Sequence, residues 1–191
     1  MRCFKMVMAV GALASGSVLA AGAHVHGEAE LDVVVDGDAM LIELAGPAAN
    51  FVGFEHAPAN PQQHAQVAQA EQRMRDAAGL FVLSPTQVCE LEQMHLDSPF
   101  AQAGAEAHEE HGEHEQAHGH EHEREQGEEH EQAHSDYRLE YSFRCSGRPE
   151  AIELGLFAQF PALHKLEVRY ITERGQGAAE LQPQQPLLRL R

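Results

Sequence analysis

From His24 to Gly46 the chain reads HVHGEAELDVVVDGDAMLIELAG, with apolar and polar residues alternating on both sides of Asp36, Gly37 and Asp38. Alternation with a period of two, broken by a turn-forming Asp-Gly-Asp, predicts a β-hairpin with strands over about Glu28 to Val35 and Ala39 to Leu44. Branched residues such as Val33, Val35 and Ile42 suit a pleated surface with one face covered. The period changes in the run from Pro58 to Gly79, which is rich in Ala, Gln, Glu and Arg. Asn60 is placed to cap a helix there, Pro61 fits its first position, and Gly79 is placed to end it. Val67, Ala70, Met74, Ala77 and Ala78 then form one apolar stripe, and Leu80 to Leu83 a short apolar segment beyond it.

Alternation returns in DYRLEYSFRC, Asp136 to Cys145, which puts Tyr137, Leu139, Tyr141 and Phe143 on one face of a strand. Leu166 to Ile171 reads as another strand, and Ala178 to Leu181 and Leu187 to Leu190 as shorter ones parted by Pro183 and Pro186. Ile152 to Phe160 fits either strand or helix, because short apolar runs do not separate the two. The fold class expected is α+β, an antiparallel sheet with one main helix. It is interrupted by a segment from about Ala101 to Ser135 that holds no branched aliphatic and no aromatic residue. Such a stretch cannot build a core and is expected to be a disordered insertion in a single domain spanning residues 24–191.

Residues 1–23 place Arg2 and Lys5 before an apolar run from Met6 to about Ala14 and end on Ala21, Gly22 and Ala23, the pattern of a secretory signal peptide. The apolar run is too short and too diluted by Gly and Ser for a spanning helix, so the expectation is export to the periplasm with no membrane insertion after cleavage. Cys3 leaves with the signal, and Cys89 and Cys145, without CxxC spacing, point to one disulfide in an oxidising compartment. A metal site on these cysteines is the weaker alternative. The formal net charge of -17 repels nucleic acid and anionic lipid while drawing cations.

That charge is concentrated where the core-forming residues vanish. Residues 101–135 carry eleven glutamates against the single Arg124, and eight of the 14 histidines: His108, His111, His114, His118, His120, His122, His130 and His134. Zinc takes imidazole nitrogen and carboxylate oxygen in a tetrahedral shell, and both donors are here in excess. His114 and His118, His118 and His122, and His130 and His134 are four apart, a spacing that puts two imidazoles on one face of a helical turn. Gly112, Gly119 and Gly127 oppose a continuous helix before metal arrives, so binding would order the segment. At four ligands per ion the eight histidines hold about two ions. The same composition would serve a solvated linker, but a glutamate-rich linker needs no histidine. Zinc is the expected cargo, with copper or nickel as alternatives. His24, His26 and His56 are weaker candidate ligands, Glu55 stands beside His56, and His64, His95 and His164 are isolated.

These features together resemble the ZrgA-like family of periplasmic zinc-uptake proteins. The resemblance lies in HVHGEAELDVVVDG at His24 to Gly37, GFEHAP at Gly53 to Pro58, Cys89 and Cys145, and LFAQFP at Leu156 to Pro161, with the histidine-rich stretch between the lobes. It implies a zinc-binding accessory to uptake under scarcity, delivering metal to the solute-binding component of an ABC transporter. A reading from a different direction is a general periplasmic buffer for copper, nickel and zinc with no transporter partner. A zinc hydrolase would need three protein ligands held rigidly around an open position, for which the tract offers no ordered scaffold, and no GxSxG occurs, so the expectation is a protein that is not an enzyme.

Overall fold

The computed structural model describes residues 25–83, 88–101 and 135–190. The expected signal peptide, His24 and all eight histidines of the tract from His108 to His134 lie outside these residues.

The hairpin forms as its alternation predicts. β1 (Glu28–Asp36) pairs antiparallel with β2 (Ala39–Pro47) around a turn at Gly37 and Asp38, from Asp36↔Ala39 to Glu30↔Ala45. Along β1, Leu31, Val33 and Val35 are buried and Glu30, Val34 and Asp36 exposed, which is the period-two pattern made physical. A single turn, α1 (Ala49–Val52), follows and ends on Gly53 at φ 87°, a left-handed position that favours glycine.

The main helix is α2 (Pro61–Arg75), with the Asn60 side chain accepting a hydrogen bond from the Gln63 N–H and proline at its start. Ala70 and Met74 are buried from the predicted stripe, and Val67 packs beside them. The helix ends at Asp76, before Gly79. Asp76 leaves helical geometry and its carboxylate caps a second short turn, α3 (Ala77–Leu80), by accepting from Gly79 N–H. β3 (Phe81–Leu83) comes next.

β4 (Cys89–Asp97) is a strand that the sequence did not announce, because a register shift between Leu91 and Gln93 breaks its alternation. β5 (Asp136–Cys145) has the bounds expected of it, with Tyr137, Leu139, Tyr141 and Phe143 buried. The ambiguous run divides into a strand, β6 (Ala151–Leu154), and a turn of helix, α4 (Leu156–Gln159). β7 (Lys165–Thr172), β8 (Gly175–Leu181) and β9 (Leu187–Arg189) complete the order.

Six strands form one sheet in the order β4-β5-β2-β1-β7-β8, and β3-β6-β9 form a second. The expected wholly antiparallel sheet is corrected at one place: β1 and β7 run parallel, in register from Glu28↔Lys165 to Val35↔Thr172. The physical reason is the end from which β7 enters. The backbone N–H groups of His164 and Lys165 both donate to the Gly27 carbonyl, at 2.8 and 3.0 Å, so β7 starts beside the start of β1 and must run with it. Alternation declares a strand but not the direction of its neighbour.

One hydrophobic cluster joins the layers. Phe81 of the small sheet meets Tyr141 at 5.0 Å between ring centroids, and the Tyr141 hydroxyl donates to the Met74 carbonyl at 2.7 Å, tying α2 to β5. The other face of the large sheet carries charge. There the Arg169 guanidinium reaches both Asp32, at 2.6 Å, and Glu30, at 3.1 Å, which holds its pKa above the ordinary value.

Candidate metal-binding site

The register places one end of the large sheet apart from the other. β1, β5 and β7 begin there and β2 and β4 end there, as the pairs Glu28↔Lys165, Pro47↔Asp136 and Asp97↔Arg138 require. The two stems of the histidine-rich tract therefore leave from this end, after Ala101 and before Ser135. They are the open ends of the antiparallel β4–β5 pair, which makes the tract the connection of an overgrown hairpin.

Both stems are fastened. The Ala48 N–H donates to the Ser135 carbonyl at 2.7 Å. Phe100 is buried edge-on to Tyr137 at 5.9 Å and lies 5.8 Å from Phe54. Phe51 closes the cluster by contacts to Tyr137 and Phe160. Buried aromatic pairs of this kind add about 0.5–1.5 kcal/mol each beyond the area they cover.

Two of the three weaker candidate ligands, His26 and His56, come to the same end. His26 Nε2 lies 2.9 Å from the Glu55 carboxylate, with both side chains exposed. His56 stacks on Phe54 at 5.0 Å, and its Nδ1 sits 2.8 Å from the Ala57 carbonyl, which fixes the ring and leaves the other nitrogen for a ligand role. His26 is held by its neighbour Gly27 at φ 86°, a left-handed turn residue. The Asn50 side chain, 2% exposed, locks that turn by accepting from Gly27 N–H and donating to the Glu28 carbonyl, each at 2.6 Å.

His26 and Glu55 are thus one imidazole and one carboxylate, two of the four donors a zinc shell takes. Among the described residues no group of three His, Cys, Asp or Glu side chains stands ready to hold an ion. His164 is exposed beside Gly27, His64 is exposed on α2, and His95 is exposed on β4 opposite Glu140. Cys89 and Cys145 are joined in a disulfide and are not available as thiolate ligands.

The disulfide expected between Cys89 and Cys145 forms. It links β4 to β5 at Cys89↔Cys145, the end of the pair opposite Asp97↔Arg138. Eight residue steps at about 3.3 Å each put it roughly 26 Å from the stems. The base is closed by Phe100 and the Ala48–Ser135 hydrogen bond instead. Sequence reasoning also missed Asn50 and Phe100 as the residues that position this end. The stretch from Gly46 and Pro47 to Gly53 signals a turn around Asn50, but nothing local tells which backbone groups its amide will meet.

The described residues define a β-sheet scaffold that presents His26, Glu55 and His56 and the stems of a histidine-rich tract at one end. Residues 23–190 match the ZrgA family of zinc uptake proteins, and the chain belongs to that family. Its role accordingly lies in zinc uptake. Curated proteins offered no match. Among the described residues no helix is long and apolar enough to cross a membrane.

Proposed function

We propose that this protein captures zinc in the periplasm on the tract from His108 to His134 and passes it to the solute-binding component of an ABC transporter. It acts by binding, not catalysis. The supporting observation is convergence: the two tract stems, the His26–Glu55 pair and His56 share one end of a rigid sheet. The tract supplies capacity, because its eight imidazoles outnumber the needs of one ion. The His26–Glu55 pair, with His56 at the same end of the sheet, supplies neighbouring donors onto which an ion can step. Ten net negative charges in residues 101–135 raise the local cation concentration before coordination begins.

Calorimetric zinc titration of the exported chain and of a chain lacking Glu106 to His134 tests this. The deletion leaves nine residues to join β4 to β5, ample for adjacent strands about 5 Å apart, so the lobe is expected to stay folded. Its stoichiometry is expected to fall by about two ions. Undiminished stoichiometry in the folded deletion would remove the tract from the function.

A further inference from the structure

The two sheets have four edge strands, and three are blunted. β3 and β9 are three residues long. β4 carries the register shift, the charged Glu90, Glu92 and Asp97, and the disulfide. Short length, bulges and charge are the ordinary protections of an exposed edge. β8 has none of the three in comparable measure. It pairs with β7 through seven consecutive residues, Gly175 to Leu181, with no shift and with neither lysine nor proline. Among the described residues no strand pairs with its other side.

We propose that β8 pairs antiparallel with β8 of a second copy of this chain, joining two six-stranded sheets into one across a two-fold axis at Ala178. The strand is self-complementary in that register. Gly175 faces Leu181 of the second copy, Gln176 faces Glu180, Gly177 faces Ala179, and Ala178 faces its own equivalent. Each Glu180 carboxylate meets an amide, so no two like charges stand directly opposed. On the inner side the Tyr170 hydroxyl end lies where a Gly177 side chain would be. The half-buried ring covers the glycine, and the Ala179 methyl of the second copy completes that covering. The stems of the acidic tract attach at β5 and β4, four and five strands away at about 4.8 Å each. That separation exceeds the roughly 8 Å screening length at physiological salt. Seven residues from each copy make a small interface of the weak, reversible class.

The test is sedimentation of the exported chain between about 10 μM and 1 mM in the presence of EDTA, where metal bridging is removed and the zinc reading is not at stake. A reversible monomer–dimer equilibrium is expected. Ala178→Lys sets two ammonium groups face to face at the axis and is expected to weaken the dimer at least tenfold with an unchanged circular dichroism spectrum. Gln176→Lys places an ammonium opposite Glu180 of the second copy and is expected to tighten it several-fold. A chain monomeric throughout the range, or a dimer that neither variant moves, overturns the proposal.

Discussion

Replacing both cysteines, C89A/C145A, removes the disulfide cross-link between β4 and β5. The bond spans a sequence separation of 56 residues. Chain-closure entropy for such a loop is about -14 cal/mol/K, which corresponds to about 4 kcal/mol at 25 °C. For a domain whose total stability is of order 5–15 kcal/mol, that is a large share. The native side adds a local effect. β4 pairs only with β5 among the described residues, Leu91 is 42% exposed, and Met94 and Leu96 are only partly buried. Without the tie the strand has few buried contacts to resist fraying from its Cys89 end. Urea unfolding followed by circular dichroism is the assay. With a slope near 2 kcal/mol/M, the midpoint is expected to fall by about 2 M. Zinc stoichiometry of the folded variant is expected to be unchanged, because the bond stands at the opposite end of β4 from the stem at Asp97. A stability loss below about 1 kcal/mol would refute the entropic reasoning. Lost zinc capacity in a folded variant would refute the separation of the two ends.

Two other perturbations probe what holds the candidate site. Asn50→Leu strands the Gly27 N–H and the Glu28 carbonyl that the amide now satisfies. A cost of about 3 kcal/mol in urea unfolding is expected, with hydrogen exchange at Gly27 accelerated; a cost under 1 kcal/mol would show that the turn before β1 stands without Asn50. At alkaline pH the buried tyrosines decide the sign. Burial is the main cause that pushes Tyr137 from its ordinary 10.0 up to about 12, and it raises Tyr141 as well. The folded chain therefore keeps protons that the unfolded chain releases, so stability is intact below about pH 10 and declines as pH rises toward 12. Tyr141→Phe is expected to flatten that decline in melts from pH 8 to 12, and an unchanged slope would exclude Tyr141 as a cause.

What could be read before the structure was whatever depends on near neighbours in the chain. The hairpin at Gly37, the cap at Asn60, the strand from Asp136 to Cys145 and the helical stripe through Ala70 and Met74 all follow from period, turn chemistry and capping, which act over a few residues. β4 escaped because one extra residue between Leu91 and Gln93 upset its period. The candidate donors were legible as residue types, but their gathering was not.

Sequence alone determined which side chains this protein offers: a stretch with no branched aliphatic and no aromatic residue, dense in imidazole and carboxylate. Tertiary structure alone decided that His26 meets Glu55 across 29 positions of chain, that β7 runs parallel to β1, and that the disulfide lies at the end of the β4–β5 pair opposite Asp97↔Arg138. The reason is common to all three. Each depends on which strand edges meet and from which end, and that is settled by burying one shared core rather than by any local pattern.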